Sequence, residues 1–155
     1  MSEQEPVIEN RKARRSYQVN ETLECGIELR GTEIKSVRQG QISIGEGWVR
    51  AEETPPSLTL HGVHIAEYPP AGAHRQHNPD RARRLLAHKR EIVKLAQQVR
   101  SRGATIVPLK VYFVRGRAKL LVGVALGKRK ADKRDDLAKR DAKREMDRAM
   151  SRRRG

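Results

Sequence analysis

The stretch that decides the fold is TIVPLKVYFV (105–114), followed by RGR (115–117) and AKLLVGVAL (118–126). Two runs rich in β-branched and apolar residues flank a short connection with glycine at its centre, which predicts a β-hairpin of Thr105–Val114 and Ala118–Leu126. A second stretch, TLECGIEL (22–29), alternates with a period of two. Leu23, Cys25, Ile27 and Leu29 share one face; Thr22, Glu24 and Glu28 share the other, as in a half-buried strand.

Working outward, Thr32 is placed to cap a short helix running through Arg38, with Ile34 and Val37 inward and Gly40 as its stop. Gln41–Ala51 reads as a strand bent at Gly45 and Gly47, and Ser57–Ala66 as another, introduced by Pro55-Pro56. Tyr68–Asn78 is a loop. Asn78, Pro79 and Asp80 then resemble a helix start, and Leu85, Ile92, Ala96 and Val99 fall on one helical stripe ending at Gly103. The result is five or six strands and two helices. Short turns between consecutive strands imply antiparallel pairing, and closure into a small β-barrel would remove exposed edges.

Charge is the strongest compositional signal: 34 Lys and Arg against 19 Asp and Glu give +15 over 155 residues. Such a field attracts polyanions, with nucleic acid the first expectation and an anionic membrane surface the competitor. No run approaches the ~20 apolar residues of a membrane span, and the acidic, polar Met1–Pro6 is unlike a signal or transit peptide. The lone Cys25, on an apolar strand face, reads as core in a reducing cytoplasm. Residues 127–155 hold 13 basic and 6 acidic side chains, and the hydrophobic runs stop at Leu126. We therefore expect a body at 1–126 and a basic tail at 127–155. The tail's thin apolar stripe (Leu137, Ala138, Ala142, Met146, Ala149, Met150) is too small to order it alone, so it is expected to be disordered until it becomes helical against a polyanion.

Catalytic and metal chemistry find little support. His61 and His64, three apart on a strand, point to opposite faces, and His74 and His77 lie in a loop without a cysteine ligand. No phosphate-binding glycine loop or nucleophile triad is legible. The reading is thus no enzyme, no cofactor and no metal. With five aromatic residues in the chain, RNA recognition is expected to rest on phosphates and folded shape more than on base stacking. Arg11, Lys12, Arg14 and Arg15, together with Arg81, Arg83 and Arg84, are the body's candidate contacts; the plain alternative is a solvated charged face. Glu24 would repel phosphate but can accept hydrogen bonds from base amino groups, and so select rather than attract.

Four motifs in this order, NRKARRSY (10–17), LECGIELRGTEIKSVRQG (23–40), HNPDRARRLLAHKREI (77–92) and GKRKADKR (127–134), closely resemble the small protein B family, the bacterial SsrA-binding proteins. The resemblance runs from Asn10 to Glu145. It implies an oligonucleotide-binding (OB)-like antiparallel barrel with added helices. It further implies a cytoplasmic, monomeric adaptor that binds the tRNA-like domain of transfer-messenger RNA and brings it to stalled ribosomes for peptide tagging and rescue. By position it assigns RNA contact to Asn10, Glu24, Leu86 and His88. It assigns entry into the small-subunit decoding centre and messenger channel to the tail motif, matched at Gly127, Lys128, Asp132, Lys133 and Arg134, with Arg129 and Lys130 beside it. The lysines and arginines can neutralise ribosomal RNA phosphates, and Gly127 can act as a hinge. Ala131 departs from the family, which often has His or Tyr there. The alternative is a general ribosome-associated or single-strand RNA-binding protein without a dedicated partner.

Overall fold

Ile8–Glu9 (β1), the helix Arg11–Ser16 (α1) and the long strand Tyr17–Ile27 (β2) open the molecule in a computed structural model that describes residues 5–127 together with Lys143, Arg144, Met146 and Arg148. The helix Gly31–Arg38 (α2) follows, then strands Ile42–Ser43 (β3), Trp48–Glu53 (β4), Pro56–His61 (β5) and His64–Ile65 (β6). A 3-10 turn at Pro69–Ala71 interrupts the next loop. Strand Arg83–Leu86 (β7), helix Lys89–Arg102 (α3) and the hairpin of Thr105–Val114 (β8) with Arg117–Gly127 (β9) complete the body.

The protein is mainly antiparallel β with three α-helices. Strand β8 pairs with β4, β4 with β5, β5 with β7, β7 with β2, β2 with β9, and β9 returns to β8, so the hydrogen-bonded pairings form a closed ring. Strand β1 adds to β8, and β3 with β6 makes a separate two-stranded ribbon. The hairpin forms where the sequence predicts, with Val114 opposite Arg117 and a two-residue loop. Arg115 (φ 51°) and Gly116 (φ 76°) are both left-handed. That is the geometry of the tight hairpin turn whose twist matches its strands, and glycine at the second position accommodates it without a Cβ clash.

Inside the ring, Cys25, Leu58, Leu60, Leu85, Ile106 and Leu120 form part of a continuous apolar cluster, and Ile92 and Leu95 of α3 pack against it. A smaller cluster joins Ala13 of α1 to Val107, Leu109 and Ala125. Strand β8 thus supplies both clusters from alternating positions, with a register shift between Pro108 and Lys110. A proline inside a paired strand is tolerated at such an irregularity.

Several sequence expectations are corrected. Gln41–Ala51 is not one strand: the chain turns at Ile44–Gly47, where the Gly47 amide donates to the Ile44 carbonyl, and pairing resumes at β4. Ser57–Ala66 breaks likewise at Gly62, whose φ is +72° and where a Cβ would meet the Glu46 carbonyl oxygen at 2.5 Å. The helix expected from Pro79 begins only at Lys89, with His88 at its N-cap; Arg83–Leu86 is a strand between β5 and β2. Arg83 and Leu85 are buried while Arg84 and Leu86 are exposed, the alternation of a strand. The N-cap of α2 is Arg30, and Thr32 turns its hydroxyl to Nδ1 of the buried His77, 2.8 Å away. The third helix, α1, was not anticipated at all.

Candidate nucleic-acid interface

Strand β2 meets β7 with Gly26 opposite Leu86 and Ile27 opposite Leu85. Side chains two apart share a strand face, so Glu24 and Gly26 look outward together, as do Arg84 and Leu86. His88 is exposed two residues beyond the end of β7, at the N-cap of α3. Glu24 and Leu86, from two distant motifs, are thus brought onto one outward face, and the exposed His88 follows Leu86 by two residues. Leu86 is 48% exposed there, an apolar side chain that the core does not use.

The acid on this face is held by a neighbour that the sequence reading missed. The Tyr112 hydroxyl donates to Glu24 Oε2, and Lys110 Nζ lies 5.4 Å from the centre of the Tyr112 ring. Tyr112 also pairs across the hairpin with Lys119. Burial, then the hydrogen bond and negative charge of Glu24, push the phenol up to about 12. It is therefore a fixed donor at neutral pH. Glu24 Oε1 has no partner among the described residues and can accept from a base amino group, while Lys110 and Lys119 offset the carboxylate's repulsion of phosphate. The clue in sequence was the alternation of Lys110 and Tyr112 with apolar residues along β8.

The arginine cluster divides. Arg84 is exposed on β7, opposite Thr59. Arg83 is 0% exposed and its assignment to an RNA contact is corrected: Nε donates to Glu33 Oε2 at 2.7 Å, and the other nitrogens to the carbonyls of Val63 (2.7 Å) and Pro79 (2.9 Å). Arg81 donates to Glu33 Oε1 at 2.5 Å and is itself largely covered. Burial pushes the Glu33 carboxyl up, but hydrogen bonds from Arg81, the Arg30 amide and Arg83 outweigh it and hold the group below its ordinary value. These residues are a buried ion triad, whose charges must be mutually paired to be tolerated there.

Asn10 is likewise not a surface contact. It is 2% exposed; Oδ1 accepts from the Ala13 amide at 3.0 Å, and Nδ2 donates to the carbonyls of Pro108 (2.7 Å) and Ile44 (3.2 Å). It caps α1 and ties it to β8, so that Arg11, Lys12, Arg14 and Arg15 project outward from a fixed helix; Lys12 pairs with Glu46. Gly127 is the last residue of β9, opposite Tyr17. Lys128, Arg129, Lys130, Asp132, Lys133 and Arg134 lie outside the described residues, as does Ala131. Lys143, Arg144, Met146 and Arg148 are helical and exposed.

Three of the five histidines are separately employed: His61 stacks on Trp48, His64 meets Asp80 at 2.9 Å, and His77 bridges Thr32 and the Ile65 carbonyl. Among the described residues no group of three or more His, Cys, Asp or Glu could hold a metal ion, and no helix is long and apolar enough to cross a membrane.

The described residues thus form a ring of antiparallel strands that presents Arg84 and an oriented Glu24 carboxylate outward. The chain belongs to the SmpB family: the model of the SmpB protein matches residues 7–152. It is 48% identical over 147 residues to the SsrA-binding protein of Roseiflexus sp. (strain RS-1), covering 95% of this chain and 92% of the relative. It is 50% identical over 147 residues to that of Salinispora arenicola (strain CNS-205), covering 95% and 91%. A solved chain described as "tmRNA-SmpB: a journey to the center of the bacterial ribosome" superposes with a TM-score of 0.67 at 43% identity, covering 85% of this chain and 94% of that one.

Proposed function

We propose that this protein is a non-enzymatic adaptor that binds the tRNA-like domain of transfer-messenger RNA and delivers it to stalled ribosomes for trans-translation. Its relatives' name, SsrA-binding protein, and the transfer-messenger RNA setting of the structural neighbour support the partner. The observation that carries the reading is the shared outward face of Glu24 and Leu86, with the exposed His88 two residues past the end of β7. In this reading Leu86 supplies an apolar contact to exposed bases, Glu24 and His88 hydrogen-bond base or sugar edges, and Arg84, Arg11 and Lys12 hold the backbone. The strand ring serves as an OB-like barrel in a cytoplasmic monomer. Residues 1–126 form the RNA-gripping body and 127–155 the ribosome-facing tail, with Gly127 as the hinge at the edge of the sheet.

The test separates the two parts. A chain ending at Gly127 keeps its affinity for the isolated tRNA-like domain but no longer supports peptide tagging in a reconstituted translation reaction. Glu24→Ala in the full chain loses at least about ten-fold in that affinity at moderate salt, where purely electrostatic binding has weakened. Loss of binding on truncation, or an undiminished Glu24→Ala variant, would overturn the division of labour.

A further inference from the structure

Of the five aromatic residues, four have evident structural employment. Tyr112 holds Glu24, Tyr17 and Phe113 pack against the two apolar clusters, and Tyr68 lies under Lys35 Nζ, 5.4 Å from its ring centre. Trp48 differs. It is 44% exposed and belongs to neither cluster. It stands at the start of β4 with its ring stacked on His61 across the β4–β5 pair, centroids 4.5 Å apart and planes 18° from parallel. The stack fixes the indole in one orientation. Trp48 also lines a cleft of about 350 Å³, together with Lys12, Ser16 and Tyr17 from the α1 side and Glu46 from the turn before β4; His61 does not line it. One ring face is thus spent on His61, while the cleft lies against Trp48 elsewhere.

The surroundings suit a nucleotide. Lys12 reaches the cleft, its exposed pair with Glu46 being the kind of surface ion pair that contributes little and is readily exchanged for a phosphate. Arg50 lies on the same outward face of β4 as Trp48, paired with Glu52 at 3.0 Å. Arg11, Arg14 and Arg15 project from α1, the helix whose Lys12 and Ser16 line the cleft. A rigid, exposed indole beside exchangeable cations is the arrangement by which proteins hold unpaired bases.

We propose that the Trp48–His61 pair is a stacking platform for an unpaired RNA base, a second nucleic-acid contact separate from the face that carries Glu24. The two lie at opposite ends of β5. Leu58 pairs with Leu85, so Leu86 stands opposite Ser57, four residues and about 13 Å of strand from His61. The site extends the RNA-binding function proposed above and rests on it only for the class of ligand.

Trp48 is the sole tryptophan of the chain, so its fluorescence reports this site alone, whatever the basic tail binds. The full-length protein is titrated with an octamer of adenylate and with an abasic ribose-phosphate octamer of equal charge. The adenylate octamer quenches the emission saturably, and the abasic one does not. Trp48→Leu, checked for native circular dichroism, binds the adenylate octamer about ten-fold more weakly, and Trp48→Tyr binds nearly as the parent does. Quenching by the isolated tRNA-like domain assigns the base to the same RNA that Glu24 contacts. Quenching that needs added octamer, with that domain already saturating, assigns it to a second RNA. Both outcomes support the platform. No quenching beyond the abasic control, or full affinity in Trp48→Leu, overturns it. Glu24→Ala is run in parallel: it lowers affinity for the tRNA-like domain and leaves octamer quenching intact, so that failure at Glu24 and failure at Trp48 are read separately.

Discussion

Replacing Arg83 with methionine removes the guanidinium from a position that is 0% exposed and leaves the Glu33 carboxylate, also 0% exposed, with Arg81 as its remaining charged partner. The Val63 carbonyl loses its side-chain donor in the same step, while the Pro79 carbonyl keeps the Ile65 amide. Breaking a buried ion pair from one side costs about 3–5 kcal/mol, most of it the penalty of the stranded charge. For a body of this size each kcal/mol moves the melting midpoint by roughly 3–5 °C, so Arg83→Met lowers it by about 10–25 °C. The pH dependence has a definite sign. Because the native protein holds the Glu33 carboxyl below its ordinary value, its contribution is complete above the unfolded-state value and is lost as pH falls through the lower native one. In Arg83→Met that contribution shrinks, so stability falls less steeply on acidification than in the parent. Urea titrations followed by far-ultraviolet circular dichroism, at neutral pH and in steps toward pH 3, measure both effects. Glu33→Leu combined with Arg83→Met leaves only the partly exposed Arg81 without its carboxylate, and the pair loses less than the sum of the single variants by at least about 2 kcal/mol. Affinity for the tRNA-like domain, measured well below the variant's midpoint, stays within about two-fold. A stability loss under about 1 kcal/mol, or a ten-fold loss of affinity in a folded variant, would refute the assignment of Arg83 to the interior.

Further expectations follow from the same geometry. Ultraviolet titration, with Tyr112→Phe as the reference, finds the Tyr112 phenol ionising near 12, and Glu24→Gln lowers it only in part, because burial, the larger cause, remains while the carboxylate's hydrogen bond and charge are gone. Tyr112→Phe itself weakens RNA binding by less than Glu24→Ala does, since it frees the carboxylate without removing it. Cys25, fully buried, is pushed up to about 12 by burial and the charges of Glu91 and Glu24. Ellman's reagent should leave it unmodified in native protein and react fully in denaturant; rapid native reaction would contradict the placement. Asn10→Ala removes a helix cap and two buried donors, costing about 2–3 kcal/mol by urea titration. Asn10→Asp retains the cap acceptor and should still lose the part due to the Pro108 and Ile44 carbonyls.

The hairpin of β8 and β9 was legible because each strand is a run rich in β-branched and apolar residues and the loop carries glycine where a left-handed residue is needed. The strand at Arg83–Leu86 was not. An arginine turned inward reads as polar, which erases the period of two, while Leu85 happens to stand at helical spacing from Ile92. What made Arg83 an interior residue is Glu33, fifty positions away, and no local pattern couples them. The short α1 was invisible for a related reason. Its sequence RKARRS shows one apolar residue, and the helix exists because Asn10 caps it and Ala13 docks on β8. On the candidate site, Glu24, Leu86 and His88 could be named from motif resemblance, but the common face of Glu24 and Leu86 depends on the β2–β7 register. Tyr112 escaped because its role is defined by a cross-strand neighbour rather than by spacing.

The closed pairing of strands has a consequence for biosynthesis. β2 is made early, yet the partner that covers most of its length is β9, the last strand of the body. On the growing polypeptide the first half therefore carries unsatisfied amide groups until residue 127 emerges, so assembly is deferred to the end of translation rather than proceeding stepwise from the amino terminus. Until then the exposed backbone of β2 is the natural point for chaperone capture, and premature termination anywhere in β9 releases a chain that cannot complete its own structure.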